Sequence, residues 1–262
     1  MATVEANGVT LGVEHYFETA RVKCMDAVLH DELARGITQL VILGAGYDTR
    51  AYRFADQLAQ RRVFEVDQPA MTRLKRAKVA RILGALPAHV HYLQSDLASD
   101  DRWAVLRESP YDRTQPTLVM LSGVSAYLPP PAVARLLRFV ADHTSPRTSI
   151  VFDYVFAEMV NGSDEFHGAA QLRKRLSALG EPLLFGVPRG RLDALLAAHG
   201  LTLIRHHDPD DLAAGFLRRT TGTLYGTPYG FAAIAHARIA HDERSLTRSA
   251  ETVTMAAASD RT

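Results

Sequence analysis

Residues 39–50 read Gln-Leu-Val-Ile-Leu-Gly-Ala-Gly-Tyr-Asp-Thr-Arg. A short apolar run that stops at glycine is the pattern of a strand buried on both faces of a parallel sheet. Gly44 and Gly46 then let the backbone turn tightly and approach a ligand closely, which a Cβ would prevent. A dinucleotide fingerprint places a third glycine about three residues further on, and position 49 is Thr. The loop therefore favours a ligand without a pyrophosphate. A Gly-x-Gly turn after a strand also has purely structural explanations, so its neighbours decide.

Working outward, Arg62–Asp67 is a second strand, and it ends on a carboxylate 23 positions after Gly44. That is where nucleotide folds place the acid that accepts ribose hydroxyls. Capping of the helix opening at Pro69 is the lesser alternative for Asp67. Glu65 faces the same way but sits deeper. Val90–Leu93 is a third strand, followed by Gln94-Ser-Asp-Leu97. Asp96 can accept from the exocyclic amine of an adenine while Leu97 packs on the ring, and a plain surface turn is the alternative. Thr117–Ser122 and Ser149–Tyr154 are the fourth and fifth strands, and Leu201–His206 and Phe231–Ile239 close the series. Helices are expected over Glu14–Ala34, Met71–Leu83, Pro131–His143, Leu172–Leu179 and Arg189–His199. Alternating strands and helices predict an α/β fold: a mostly parallel seven-stranded sheet with helices on both faces. Ligands of such sheets bind at the carboxyl ends of the strands, where strand order reverses.

The chain has 262 residues, 47% of them hydrophobic and 23% charged, the composition of an ordinary globular domain. One domain over 1–240 is expected, with a small helical lid at about 156–186 and a flexible tail over 241–262. A single cysteine, Cys24, excludes an internal disulfide and a Cys-rich zinc site. It reads as a small buried hydrophobe. A formal net charge of +1 gives no reason to expect a nucleic-acid or membrane surface. No apolar run reaches the ~18 residues of a membrane span, and the first residues do not form a signal peptide. The expectation is a soluble, cytoplasmic protein with a small-molecule partner and no metal, compatible with a homodimer.

The strings VILGAGYDTRAYRF (41–54), VFEVDQPAMTRLK (63–75), SDL (95–97), GVSAYLPPPAVARLL (123–137) and GEPLLFGVPRGRLDALLAAHGL (180–201) closely resemble the leucine carboxyl methyltransferase-like family. That family includes polyketide O- and carboxyl-methyltransferases, and the similarity runs from about Ala20 to Ala240. The resemblance implies a Rossmann-like class I methyltransferase fold and S-adenosylmethionine as methyl donor. It implies that Arg21, in ETARVK, binds the cofactor carboxylate. Gly44, Ala45 and Gly46 would lie against the methionine part, Asp67 with Gln68 would hold the ribose, and Asp96 with Leu97 the adenine. Where the family carries a glutamate expected near the cofactor ammonium, this chain has Ser122. The loss of one charged contact corresponds to about 1–3 kcal/mol. Lys23 is the nearest counterpart of a lysine that helps hold the cofactor carboxylate in some members.

The resemblance further implies an O-methyltransferase acting on a carboxyl or phenolic oxygen. Only alignment and exclusion of water are then required for a carboxylate, whereas a hydroxyl needs a general base. Tyr127 is the expected acceptor-side residue, or else a rim tyrosine packing on Pro129. His167, in the irregular 158–168 segment, is the best-placed candidate base. His206 and His207 read as one core and one surface histidine. Arg50 and Arg53 either bind an acidic acceptor or, for Arg53, pair with Glu65. Arg173, Lys174 and Arg175 read as a solvated helix face. An alternative keeps the cofactor fold without methyl transfer, in a cyclase-like or inactive protein, and Ser122 is the feature that favours it. A nicotinamide oxidoreductase is disfavoured by the missing third glycine. A serine hydrolase is disfavoured because Ser125 lacks the second small residue of a nucleophile turn.

Overall fold

The computed structural model describes residues 3–4, 10–98 and 104–240, so the expected tail lies outside it. A long helix, α1 (Val13–Ala34), comes before the sheet. It buries Tyr16, Phe17, Ala20, Cys24, Met25, Val28, Leu29 and Leu33, a stripe at helical spacing.

Seven strands form one sheet: β1 (Gln39–Leu43), β2 (Arg62–Asp67), β3 (Val90–Gln94), β4 (Thr117–Leu121), β5 (Ser149–Val155), β6 (Leu201–His207) and β7 (Ala232–Ile239). Their order is β3-β2-β1-β4-β5-β7-β6. The first five are parallel, while β7 runs antiparallel between β5 and β6. All five residues of β1 and of β4 are buried, as central strands covered on both faces must be. Between the strands lie α2 (Pro69–Leu83), α3 (Pro130–His143), α4 (Ala169–Leu179) and α5 (Leu192–Ala197), with α6 (Pro209–Phe216) after β6.

Strand boundaries follow the sequence reading to within one residue. Two helices do not. The expected Arg189–His199 helix is reduced to Leu192–Ala197 because Gly190 and Gly200 both take positive φ at its flanks. Helix α6 is absent from the sequence reading. It opens at Asp208, whose side chain accepts from the Asp211 amide at 2.8 Å while Asp211 reaches back to Asp208, a capping box with Pro at the first position. α6 packs against α1 and β6.

The order reverses at β1, which has β2 on one side and β4 on the other. The crevice between the loops after β1 and β4 is therefore where a ligand is expected.

Candidate functional site

The loop after β1 is held from three directions. Gly44 sits at φ +66°, and its amide donates to Val66 O at 2.8 Å. A Cβ there would lie 2.4 Å from Val124 Cγ2, so the turn after β1 and that after β4 touch only because position 44 is glycine. The Gly46 amide donates to Asp67 Oδ2 at 2.6 Å, and Asp67 Oδ1 accepts from the Gln68 amide at 2.7 Å. Each carboxylate oxygen of Asp67 thus has one donor and keeps lone-pair capacity for another. Asp67 does not cap α2; the N-cap position is Gln68, which is exposed.

Beneath this loop lies a buried polar group. Lys75 Nζ is 2.8 Å from Glu65 Oε1 and donates to Ala45 O at 3.2 Å. Tyr52 donates to Glu65 Oε2 at 3.2 Å. Burial pushes the Glu65 carboxyl up to about 7, although Lys75 and Tyr52 favour its ionised form. Glu65 therefore pairs with Lys75 and not with Arg53, as one sequence alternative had it. Arg53 and Arg50 both turn to Asp26 on α1, at 2.7 and 2.8 Å. Arg50 is 3% exposed and also pairs with Asp48. These two arginines tie the loop to α1, Arg50 from a buried position and Arg53 from a partly exposed one.

After β3, Asp96 is exposed, with its Oδ1 accepting from the Ala98 amide at 3.0 Å, and Leu97 is buried. After β4, Ser122 is half-buried, and Gly123 follows at φ +71°.

At Gly123 the structure brings in α1 and β5. Arg21 Nη1 donates to Asp153 Oδ2 at 3.0 Å, and Nη2 pairs with Glu18. Asp153 Oδ1 accepts from the Gly123 amide at 2.7 Å, and Ser125 Oγ donates to Asp153 O at 2.5 Å. Burial works against the Arg21 charge, but Asp153 and Glu18 more than offset it and raise its pKa. Burial raises the Glu18 carboxyl, against the pull of Arg21. Arg21 Nε is buried without a partner among the described residues.

These groups form one wall of a cavity of about 190 Å³. Phe17, Tyr229 and Phe231 supply its apolar surface, and α4 covers it through Leu172, Leu176 and Leu179. Tyr127 lines it and is 42% exposed, with its hydroxyl pKa raised by burial and by Glu181. Arg175 borders it and is exposed, as expected of a solvated helix face, 3.3 Å from Glu14; Arg173 pairs with Asp164. His167 is exposed and stands outside the lining, with the Gly230 amide donating to its backbone oxygen. His206 accepts from or donates to Tyr154 OH at 2.9 Å, and Asp208 caps α6, so neither joins the cavity. Lys23 donates to Phe216 O and Tyr225 OH, a link between α1 and the segment after α6. Among the described residues no group of three His, Cys, Asp or Glu is placed to hold a metal, and no helix is long and apolar enough to cross a membrane.

The sequence reading missed Asp153. The signal was present: an acid inside the otherwise apolar Ile-Val-Phe-Asp-Tyr-Val run, where an unpaired carboxylate would be costly.

The family model described as "Leucine carboxyl methyltransferase" matches residues 7–141, just over half of the chain. A Bacillus subtilis (strain 168) protein named "Putative S-adenosyl-L-methionine-dependent methyltransferase YktD" is 33% identical over 74% of this chain and 63% of its own length. The chain spans about half to just under two thirds of the length of the curated relatives it matches. Among solved structures, magnesium protoporphyrin IX methyltransferase (ChlM) from Synechocystis PCC 6803 with bound SAH superposes with a TM-score of 0.53 at 14% identity, covering 89% of this chain and 90% of that one. Mitomycin 7-O-methyltransferase MmcR gives 0.51 at 17% identity, covering 83% and 56%. At such identities these two likenesses speak for the fold, a Rossmann-like class I methyltransferase sheet.

Proposed function

Because the chain belongs to the leucine carboxyl methyltransferase family, we propose that it binds S-adenosylmethionine along the carboxyl edge of its sheet and methylates a small molecule on oxygen. The acceptor atom is a carboxyl oxygen or a phenolic or other hydroxyl oxygen of a secondary metabolite such as a polyketide.

The observation that carries this reading is the Arg21–Asp153–Gly123 wall standing beside the Gly44–Gly46 loop and Asp67. The residues present suit the cofactor. The buried Arg21 Nε lacks an acceptor, which a carboxylate would supply. The spare capacity of Asp67 suits ribose hydroxyls. The acid missing at Ser122 has a substitute in Asp153, which reaches the neighbouring Gly123 amide from β5 rather than β4. That substitution argues against the cyclase-like alternative.

The bound cofactor supplies an electrophilic methyl group on a sulfonium. The chain's part is to hold the acceptor oxygen in line with it and to keep water away. Leu172, Leu176, Phe17 and Phe231 exclude water from the cavity. Tyr127 stands at its rim to orient the acceptor. A hydroxyl acceptor loses a proton, and Glu18, which lines the cavity with a raised pKa, is better placed to take it than the exposed His167.

The test is calorimetric titration with S-adenosylmethionine and S-adenosylhomocysteine. Micromolar binding is expected, lost in Asp67→Ala and partly kept in Asp67→Asn, which still offers one acceptor oxygen. Absence of binding by the unaltered chain would end the methyltransferase reading.

A further inference from the structure

The cavity holds more negative than positive charge. Glu14, Glu18, Asp153 and Glu181 line it against Arg21 and Arg175. Both arginines are engaged within the wall, Arg21 by Asp153 at 3.0 Å and by Glu18, Arg175 by Glu14 at 3.3 Å. Glu181 has no ion-pair partner among the described residues. The lining therefore carries an excess of two negative charges. S-adenosylmethionine, with one carboxylate, one ammonium and one sulfonium, returns only one of them. An acceptor carboxylate would raise the remaining excess: the open Nε of Arg21 goes to the cofactor carboxylate, and the Arg175 guanidinium is 60% exposed and already beside Glu14. A cationic acceptor would cancel it.

The apolar walls point the same way. The Phe17 and Tyr229 ring centroids are 5.8 Å apart, and Tyr229 stacks on Phe231 at 4.7 Å. This buried aromatic group already borders a cation, the Arg21 guanidinium 5.6 Å from the Phe17 ring centroid, so positive charge is accommodated beside it.

We infer that the acceptor is a hydroxyl-bearing aromatic molecule with a basic nitrogen, and not a carboxylate. The inference rests on the methyltransferase reading and narrows it. Methylation then forms an O–CH3 bond as the S–CH3 bond breaks. The bonding pair stays on sulfur, and the hydroxyl proton leaves to a carboxylate of the lining.

Three phenols of similar shape test it: tyramine, 4-ethylphenol and 3-(4-hydroxyphenyl)propionate, titrated into the full chain saturated with S-adenosylhomocysteine. Tyramine is expected to bind at least about ten-fold more tightly than the propionate, with ethylphenol between them. In Glu181→Gln, an exposed position that leaves the fold intact, the gap is expected to narrow several-fold. A propionate that binds as tightly as tyramine overturns the inference, and so does an equal response to all three, absence of binding included. Failure of S-adenosylhomocysteine itself to bind is a different result, and it removes the methyltransferase reading.

Discussion

Gly123 is the residue on which the cavity wall turns. It sits at φ +71°, and a Cβ there would lie 2.8 Å from Arg21 Nη1. Gly123→Ala therefore strains the backbone by roughly 1–2 kcal/mol and pushes the guanidinium off its pair of carboxylates. Affinity for S-adenosylhomocysteine is expected to fall at least about ten-fold, read by calorimetry, with a melting temperature lower by about 2–8 °C. Unchanged affinity would mean that Arg21 does not contact the cofactor. At this scale the sequence was legible in part. The glycines of the β1 loop and Asp67 announce themselves by position, since each follows an apolar strand. The partner of Arg21 does not, because Asp153 lies 132 positions away and only the fold brings it near. As the partner of Arg50 and Arg53, Asp26 is hidden from the sequence in the same way, since only the fold brings α1 to that loop.

Among the elements, α6 shows how a short helix is set by its first turn. Asp208 and Asp211 satisfy each other's ends, and the helix then packs on α1, the same helix that carries Glu18 and Arg21. Asp208→Ala is expected to lower stability by about 1 kcal/mol, seen as a lower urea midpoint at unchanged slope. A loss within error would show that packing on α1 alone sustains the helix. The Asp-Pro-Asp-Asp string was readable as a helix start, yet with only eight residues the element gives little periodicity to support it. The strands were far clearer. Runs such as Leu-Val-Met-Leu, buried on both faces, leave no other reading. What periodicity does not encode is order, so the antiparallel insertion of β7 between β5 and β6 is a property of the folded sheet that the pattern does not carry.

For the molecule as a whole, pH stability is set partly at the pole away from the cavity. His236 on β7 is 5% exposed, and its pKa is lowered to about 4 by burial, with Arg35 and Arg205 adding to it and Asp31 opposing. Glu32 on α1 lies 3.5 Å from its Nε2, and His207 is also near. The folded pKa lies below the unfolded value of about 6.5. The stability that comes from keeping the ring neutral is therefore complete above pH 6.5 and is lost as pH falls toward 4. By pH 5 the loss is roughly 2 kcal/mol. Chemical denaturation at pH 7.5 and 5 should show a loss larger by that amount in the unaltered chain than in His236→Gln. Equal losses would place the acid sensitivity elsewhere.

The direction of β7 also has a practical result. Because it runs against its neighbours, the chain that borders the cavity at Tyr229 leaves the sheet at the other pole, where the Ala240 amide donates to Gly200 O. Cys24, the single thiol, is 1% exposed, and burial pushes it up to about 12, so it resists alkylation at neutral pH. Ala240→Cys would then add one accessible sulfur at an exposed site. A dye attached there reports from the rear of the molecule without touching the pocket, and a sensor chip coupled there holds every copy with its mouth toward the analyte stream.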